Sequence, residues 1–479
     1  MATTDRWSSR TGFFLAAIGS AVGIGNIWRF SAVLGQSGGG AYLLPYLTAV
    51  FLFAMPLMIL ELSMGRHFRA NVVSAFRAIR PYFAWIGWVL SAIVFCILSY
   101  YLVITGWTLG YVVLFATGQT VSFELFTGSY QPVLFFVLSV VVTGVIVSVG
   151  VQKGIERISL LMIPISILLL VGMAIYGVTL SGFSEAMRFL FTPDYSVLSD
   201  PLIWSAAFGQ AFFSLSVGEG ILLTYGAYVD QNENIPRSAL VITLADLAVA
   251  ILAGMVIFPI VFTFGLAPTA GAELAFTTLP LAFLQLPGGI LLSLAFFIVL
   301  FFTAITSSIS MLEVNIASIR EATGWSRRRV AVLLIGALIV VGLPSALSYS
   351  RVNLMWGGIR FLDFMDETIG TLGLPIAAVL LSVVFTWFLK EEILQREMGR
   401  ATHAVTLLGK YVVPAVLVLT TIARLVANVD MPGMRLLPGT EFIGSLLQTL
   451  GTSGIMVGIG ILVFLGLQLK RYLQSPKRG

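Results

Sequence analysis

Apolar residues fill the chain in long runs, and short polar stretches separate one run from the next. Each run holds about 20 residues or more, the length at which an α-helix crosses the roughly 30 Å hydrocarbon core of a bilayer. Helices satisfy their own backbone polar groups in lipid, so we expect an all-α polytopic membrane protein. The pattern predicts twelve membrane-spanning helices, at residues 12–34, 41–64, 84–116, 131–150, 158–181, 202–226, 238–266, 288–319, 329–347, 367–389, 405–428 and 449–469.

Two of these runs contain residues that a continuous helix disfavours. The first has glycines at 19, 23 and 25, followed by Asn26, and the sixth has serines, glycines and Glu219 within 214–220. A glycine costs about 1 kcal/mol relative to alanine in a helix interior, and an unpaired acid in the membrane costs more. Close packing between helices would also explain the glycines, if they stood alone.

The positions of the two interruptions favour a transporter. Spans one and six are equivalent if spans 1–5 and 6–10 form two repeats, with spans 11 and 12 as additions. Paired interruptions at matching positions of two halves indicate a binding site near the middle of the membrane. Unwound backbone there offers N–H groups to an anion and C=O groups to a cation, and an amino acid with Na⁺ needs both.

Charge is sparse and asymmetrically placed. Charged residues make up 10% of the chain against 58% hydrophobic residues, and most of the 27 Lys and Arg residues lie in alternate loops. An excess of Lys and Arg marks cytoplasmic loops, which predicts a cell-membrane protein with both termini in the cytoplasm. The net charge of +5 forms no single basic tract, which counts against nucleic-acid binding. No signal-peptide cleavage pattern follows the first run, so we expect that helix to be retained.

Candidate catalytic chemistry is scarce in the sequence. The single cysteine, Cys96, cannot form an internal disulfide, and the two histidines, His67 and His403, lie in predicted loops without clustered ligands. The sequence contains no nucleophile–base set and no nucleotide-binding loop after a predicted strand. These features count against an enzyme.

Several motifs, in order along the chain, resemble the neurotransmitter:sodium symporter family. They cover about 370 residues, from the first predicted span to the tenth. They are Gly23-Ile24-Gly25-Asn26-Ile27-Trp28-Arg29-Phe30, Gly38-Gly39-Gly40-Ala41-Tyr42, Glu61-Leu62-Ser63-Met64-Gly65-Arg66, Tyr100-Tyr101 with Gly106-Trp107-Thr108-Leu109-Gly110, residues 210–220, Thr306-Ser307-Ser308, and Leu362-Asp363-Phe364-Met365-Asp366.

The resemblance implies the leucine-transporter fold, a 5+5 inverted repeat in which helices 1 and 6 are broken. On this basis the chain divides into four parts. They are a cytoplasmic N-terminal gate segment (1–11), a first repeat (12–181), a second repeat (182–389), and a final part with spans 11 and 12 and the cytoplasmic C-terminus (390–479).

The resemblance also implies a substrate site between the breaks. The substrate carboxylate would meet Ile24, Gly25 and Tyr101, and the amine would meet Ala21, Phe213, Ser214 and Ser216. Helix N-termini favour anions and helix C-termini favour cations, which agrees with this assignment. The substrate side chain would be lined by Ile97, Phe213, Ser216, Glu219, Ser307 and Met311.

Two sodium sites follow from the same resemblance. The first would combine the substrate carboxylate with Ala21, Asn26, Ser214 and Asp246. The second would lie among Gly19, Val22, Thr303, Thr306 and Ser307. An isolated Thr or Ser in a span more commonly bonds back to its own helix, so the hydroxyls alone do not prove a cation site.

Gates are implied on both sides of the site. Outside, Arg29 would pair with Asp366, directly or through water, with Phe213 as an aromatic lid. Inside, the resemblance points to Arg6, Trp7, Tyr228 and Glu321. The N-terminal gating arginine of the family aligns with Thr4, so Arg6 is a neighbour that would replace it.

Two residues depart from the family pattern. Asp246 lies where several relatives have asparagine, and its charge would replace the chloride of animal members, whose anion site aligns with Tyr46, Gln210, Ser214 and Ala250. We therefore expect chloride-independent transport, unless Asp246 is protonated and packs on a neighbour.

Glu219 replaces an apolar lining residue. An ionised Glu219 would favour a polar or cationic substrate over a neutral hydrophobic one, because an unpaired charge in a dry pocket is costly. Burial could instead keep it neutral and involve it in proton movement, or it could turn away and cap free amides.

The leading hypothesis is a sodium-coupled amino-acid symporter that works by alternating access. A proton-coupled transporter of the broader fold would also have two broken spans, without the Thr306 and Ser307 ligands. A receptor or channel would not need Arg29 and Asp366 as opposed charges. The preferred amino acid, the Na⁺ stoichiometry, proton antiport and the oligomeric state do not follow from the residues.

Overall fold

A computed structural model of the chain describes residues 5–192, 195, 198, 201–266 and 274–427. Within these residues nine helices are long and apolar enough to cross a membrane, and a bent pair at the start brings the number to ten. The continuous helices are Gly40–Phe68, Pro81–Ala116, Gln131–Ser148, Val151–Val178, Ile235–Thr263, Gly289–Thr323, Arg327–Ser348, Phe361–Trp387 and Glu391–Ile422. The chain is an all-helical, multi-pass membrane protein. The predicted twelfth span lies outside the described residues, and the total of twelve and the inverted repeat stay predictions.

Both predicted interruptions occur as breaks in the helices. The first helix, Arg10–Ala21, stops before Val22, and the chain resumes as a helix over Gly25–Gln36 at an angle of 53°. The sixth span is divided into Pro201–Ser214 and Ile221–Gly226, with six residues between them. The local sequence predicted the positions of both breaks because glycines and buried polar side chains weaken a continuous helix.

Shorter elements connect the spans. They are the helices Val72–Ile79, Phe123–Thr127, Phe183–Phe191, Leu274–Thr278 and Leu279–Leu284, and a hairpin of strands Met355–Trp356 and Ile359–Arg360, in which Met355 pairs with Arg360. Several long helices also contain a wide π-turn, at Val50–Ala54, Val151–Glu156, Asp366–Gly373 and Leu408–Val412. These spans are therefore less regular than the apolar pattern predicted.

Two helices begin earlier than predicted. The tenth span starts at Phe361 instead of residue 367, and Asp363 lies in its first turn, where the helix dipole favours an acid. The eleventh apolar segment is preceded by Glu391–Met398, which forms a helix where the sequence predicted a loop. Leu394 and Met398 are buried in this helix, so tertiary packing stabilises a segment that is too polar to be predicted as a span.

Close packing brings the second span against the sixth. A Cβ atom on Gly65 would lie 2.0 Å from the carbonyl oxygen of Leu223, and one on Gly226 would lie 2.5 Å from that of Leu62. Only glycine permits this approach, which is typical of helix contacts in membranes. The helix Gly289–Thr323 in turn packs along the third and fifth spans.

Large apolar side chains remain exposed on the outside, as lipid contact requires, among them Leu134, Val145, Leu161, Leu168, Ile175, Leu291, Val332 and Val340.

Candidate functional site

The first break frees backbone groups in the middle of the protein. Asn26 folds back over it, and its side-chain oxygen accepts a hydrogen bond from the amide of Gly23 at 3.0 Å. The amide of Ile24 points to the hydroxyl of Tyr101 on the third span, 3.4 Å away. The carbonyl of Gly25 accepts a hydrogen bond from the Gln210 side chain at 3.0 Å. The break is therefore held by side chains from two other spans.

The second break has a tight, left-handed backbone. Ser216, Gly218 and Gly220 all have positive φ angles, of 50°, 91° and 71°. A side chain at Gly218 would also meet the backbone of Ala378 at 3.1 Å, so glycine is required there for two reasons. The amide of Gly218 donates to a carboxylate oxygen of Glu61 at 2.6 Å. Glu61, on the second span, thus caps an amide that the break leaves free.

The two breaks meet around a small central cavity. Its volume is about 10 Å³, enough for roughly one water molecule. The Phe213 ring lies directly over Gly25, where a Cβ atom would be 2.5 Å from the ring, so this side chain closes the cavity from one side. The residues that line the cavity are Ser20, Ala21, Gly23, Gly25, Asn26, Tyr101, Phe213, Ser214, Ser216, Glu219, Ser307 and Met311.

Most of the residues predicted to bind substrate lie in this lining. Ile24 and Ile97 are not part of it, although the amide of Ile24 contacts Tyr101 at its edge. Sequence reasoning missed Ser20, whose carbonyl accepts hydrogen bonds from Ser216 at 2.9 Å and from Ser307 at 3.3 Å. Side-chain motifs could not reveal it, because the contribution of Ser20 is a backbone oxygen.

Three residues predicted for the first sodium site form one hydrogen-bonded group. The Asn26 amide nitrogen donates to Ser214 at 2.8 Å and to Asp246 at 2.6 Å, and the Ser214 hydroxyl donates to the other Asp246 oxygen at 2.8 Å. Asp246 is 1% exposed. Tyr46 joins this group through a hydrogen bond to Ser214 at 3.4 Å.

The second predicted sodium group is assembled less completely. Ser307 donates weakly to the carbonyl of Gly19 at 3.4 Å, and a Cβ atom on Gly19 would lie 3.2 Å from Thr306. The hydroxyls of Thr303 and Thr306 both bond to carbonyls of their own helix, at 3.0 to 3.1 Å. Val22 continues the end of the first helix, where its amide bonds to Ile18. The structure brings the eighth span against the first break, and Ser307 is the hydroxyl that faces it.

On the predicted outer side, Arg29 and Asp366 each contact an aromatic residue. The Arg29 guanidinium lies 4.7 Å from the centre of the Phe213 ring, a cation–π contact. Asp366 accepts a hydrogen bond from Tyr100 at 2.9 Å. Among the described residues Arg29 and Asp366 make no direct ion pair with each other. A pairing of these two residues through water stays a prediction.

The predicted inner cluster is only half assembled. Trp7 packs edge-on against Tyr225 and Tyr228 with ring centres 5.0 and 6.0 Å apart, and its indole nitrogen donates to the carbonyl of Tyr225. Arg6 is exposed, and its backbone accepts a hydrogen bond from Gln152. Glu321 accepts hydrogen bonds from Asn71 and Ser74. The expected approach of Arg6 to Glu321 is therefore absent from the described part of the chain.

Other charges close this end of the protein. Asp5 pairs with Arg320 at 2.9 Å and with Arg327 at 3.6 Å. Arg327 also pairs with the fully buried Glu313, which accepts a hydrogen bond from Tyr228 at 2.8 Å. The N-terminal residue in the ion pair is thus an acid, where the resemblance implied a base. Short-range sequence patterns give no sign of this pairing, since its members are more than 300 residues apart.

A second contact fixes the N-terminal segment. Glu156, at the start of the fifth span, accepts hydrogen bonds from the amide and hydroxyl of Ser8 and from the hydroxyl of Ser9, at 2.6 to 3.0 Å. Gly12 packs so closely on this carboxylate that a Cβ atom would lie 1.7 Å from its oxygen. The segment that covers the predicted inner side is therefore attached to several helices.

Comparison with known proteins gives consistent matches over most of the chain. The model of the sodium:neurotransmitter symporter family matches residues 4–131 and 124–435. The chain is 37% identical over 414 residues to an uncharacterised sodium-dependent transporter, YhdH, of Bacillus subtilis (strain 168), covering 83% of this chain and 91% of that protein. It is 30% identical to an uncharacterised sodium-dependent transporter of Haemophilus influenzae, covering 88% and 98%.

A solved structure is also similar in fold. The crystal structure of MhsT in complex with L-phenylalanine superposes with a TM-score of 0.81 at 36% identity, covering 88% of this chain and all of the other.

Proposed function

The chain belongs to the sodium:neurotransmitter symporter family and is a sodium-dependent symporter rather than an enzyme, and we propose that it carries an amino acid across the cell membrane with Na⁺ by alternating access. The observation that supports this most directly is the meeting of both helix breaks at one buried cavity. A single such break could serve helix packing. Two breaks that face each other provide amides for an anion and carbonyls for a cation at the same place.

An amino-acid backbone fits the polarity of the cavity. The Ile24 amide and the Tyr101 hydroxyl lie together on one side and suit a carboxylate. The carbonyl of Ser20 and the hydroxyls of Ser214 and Ser216 lie near the ends of the two half-helices and suit an ammonium group. With about 10 Å³ of free volume the cavity has no room for an amino acid, so binding requires the breaks to separate.

Sodium ions are cargo in this proposal, and the oxygen groups suit them. Asp246 is buried, and its hydrogen bonds come from the neutral side chains of Asn26 and Ser214. A cation bound there would supply the opposite charge that a buried carboxylate needs. The second ion would use the carbonyls of the first break and the hydroxyl of Ser307.

Chloride independence follows from the charge on Asp246. Tyr46 and Ser214, which align with the chloride site of animal relatives, are bonded together next to this carboxylate. A second anion there would experience repulsion in a medium of low dielectric constant. The fixed carboxylate therefore takes the place of a mobile chloride.

Alternating access would use two closures on opposite sides of the cavity. Phe213 with Arg29 covers one side, and the packing of Trp7 on Tyr225 and Tyr228 covers the other. Both closures are present together, which describes an occluded form. Sodium can favour one form over another only through its different affinity for the two. The distribution of Lys and Arg supports a cytoplasmic position for the Trp7 side.

The test is uptake by purified protein in liposomes. We expect at least one of the twenty amino acids to accumulate when a Na⁺ gradient is imposed and to stop when K⁺ replaces Na⁺. Replacement of chloride by gluconate should leave uptake unchanged. Accumulation that follows a proton gradient without Na⁺ would support the proton-coupled alternative instead, and accumulation of no amino acid under any gradient would reject the proposal.

A further inference from the structure

Glu219 is a buried acid in the cavity wall, and one of its two carboxyl oxygens has no hydrogen-bond partner among the described residues. It is 2% exposed, and its Oε2 atom makes no hydrogen bond with any described residue. It belongs to the lining of the cavity, between two glycines whose positive φ angles shape the second break. A buried carboxyl oxygen without a partner is costly, so its presence at this position indicates a partner that arrives from outside the chain.

The charged side chains near Glu219 are already occupied or have the wrong charge. Glu61 is close enough to interact with it electrostatically, and one Glu61 oxygen caps the amide of Gly218 at 2.6 Å. The cap on the break therefore comes from Glu61, which removes the need for Glu219 to turn away and cap amides. Arg29, the basic side chain near the cavity, lies over the ring of Phe213.

The charge balance of the site leads to the same conclusion. Asp246, Glu61 and Glu219 are three acids with 2% exposure or less around the two breaks. Two sodium ions and a zwitterionic amino acid would leave one of these negative charges unmatched. A proton on one of the acids, or a cationic group on the substrate, would restore the balance, and a neutral donor on the substrate would stabilise the remaining charge through a hydrogen bond.

A proton alone does not remove the difficulty. A protonated carboxyl gains one O–H donor but keeps acceptor capacity on its other oxygen. Oε2 would then still need a donor, or the new O–H would need an acceptor, within a cavity that holds about one water molecule. A substrate group that donates a hydrogen bond satisfies Oε2 whenever that oxygen is an acceptor, which holds for the ionised carboxylate and for a carboxyl protonated on its other oxygen.

Starting from the proposed amino-acid transport, we infer that the transported amino acid carries an N–H or O–H donor at the far end of its side chain, and that Glu219 accepts this hydrogen bond. The Ile24 amide, the Tyr101 hydroxyl and the break carbonyls hold the part that all amino acids share. Glu219, in the wall formed with Met311 and Ser307, then selects by side chain. A site built to accept a donor discriminates strongly against an analogue that lacks it, because its own polar group is left unpaired.

The experiment compares amino acids of similar shape that differ in this donor. The dissociation constants of lysine and norleucine, of tyrosine and phenylalanine, and of threonine and valine are measured by calorimetry on the purified full-length protein in NaCl. Lysine tests a cationic donor, and tyrosine and threonine test neutral ones. In at least one pair we expect the donor to bind at least about tenfold more tightly than its partner.

Variants then assign the preference to Glu219. Glu219→Leu should abolish the difference within the pair, and Glu219→Gln should keep it for a neutral donor and reduce it for lysine. Glu124→Leu, the same exchange at an exposed acid outside the cavity lining, is the control and should preserve the ratio. The ratios of the unmodified protein need no variant, so the test holds even if Glu219→Leu fails to fold.

The outcomes separate this inference from the proposed function. If members of the pairs bind in Na⁺ but none shows a donor preference, or if the preference survives in Glu219→Leu, the inference is overturned and amino-acid binding stands. Binding that depends on pH through Glu219 without any donor preference would identify a proton as the partner and would also overturn it. If none of the twenty amino acids binds in Na⁺, the proposed function itself fails.

Discussion

Ser216 donates a hydrogen bond to the carbonyl of Ser20 across 2.9 Å and so joins the two helix breaks directly. The contact links residues that are 196 positions apart, each at the point where its span unwinds. Neither half of the site is complete without the other, because the carbonyl belongs to the first break and the hydroxyl to the second. This bond lies at the wall of the cavity and should respond to what the cavity holds.

Removal of this bond should weaken both the fold and substrate binding. Ser216→Ala leaves the carbonyl of Ser20 with one donor fewer, and we expect a loss of about 1 kcal/mol in stability. Substrate affinity should fall as well. Thermal unfolding of the purified protein and Na⁺-dependent uptake would measure the two effects. Ser318→Ala is the control, because Ser318 is also buried and its hydroxyl bonds to Val314 in its own helix. Equal effects of both changes would contradict a linking role.

Asp246→Asn should reduce sodium binding and create a need for chloride. The substitution keeps the shape of the side chain and removes the negative charge that faces Asn26 and Ser214. We expect the Na⁺ concentration for half-maximal uptake to rise about tenfold or more, since a buried charge contributes at least about 1.4 kcal/mol. Uptake in chloride should then exceed uptake in gluconate.

A surface acid provides the comparison for this change. Asp230→Asn alters an exposed side chain that caps the amide of Asn232. It should leave the sodium and chloride dependence of uptake unchanged. An Asp246→Asn protein with normal sodium dependence would show that the carboxylate is not part of a cation site.

Two adjacent serines on the eighth span should differ in their effect on sodium. Ser307 faces the carbonyls of Gly19 and Ser20 in the first helix. Ser308 instead bonds back to Ala304 in its own helix and contacts Thr105 on the third span. Ser307→Ala should therefore raise the Na⁺ requirement of uptake about tenfold, and Ser308→Ala should not. Measurement of uptake against Na⁺ concentration for both variants decides this, and a matched effect would indicate general damage to the helix.

At the inner side, Asp5 should matter more than Arg6. Asp5→Asn removes the ion pairs with Arg320 and Arg327. These pairs are partly exposed and together contribute about 1 kcal/mol, so their loss should shift the conformational equilibrium about fivefold toward the inward-open form. Arg6→Gln should have little effect, because its side chain makes no ion pair with described residues. The measurement uses Ala16→Cys in a protein that also carries Cys96→Ser, so that the new thiol is the one that is labelled. A larger inward-open population should make a thiol reagent added on the cytoplasmic side react faster with it.

The opposite ranking would restore the gate implied by the family resemblance. If Arg6→Gln accelerates labelling and Asp5→Asn does not, Arg6 and Glu321 form the inner closure during transport. The ion pairs of Asp5 would then be incidental.

The sequence by itself determined the membrane-spanning class and the location of both breaks. These are local properties, because run length reports the span of a helix and glycines or polar residues within a run report where it is weak. The family motifs extended this to most of the cavity lining, including Tyr101, Phe213 and Ser214. Boundaries at Phe361 and Glu391 were less accurate, because charged helix ends are stabilised by dipoles and by packing that hydropathy does not measure.

Only the tertiary structure decided which side chains pair across the bundle. Whether Asp5 meets Arg320 and Arg327, or Arg6 meets Glu321, depends on how the N-terminal segment lies. Glu156 of the fifth span fixes that segment through its hydrogen bonds to Ser8 and its close packing on Gly12. Likewise, Glu61 caps the amide of Gly218, and Oε2 of Glu219 has no hydrogen-bond partner in the described part of the chain. No spacing within residues 210–220 could show this. Side-chain pairing depends on the rotation and crossing of helices that are distant in sequence, and periodicity along one helix does not contain that information.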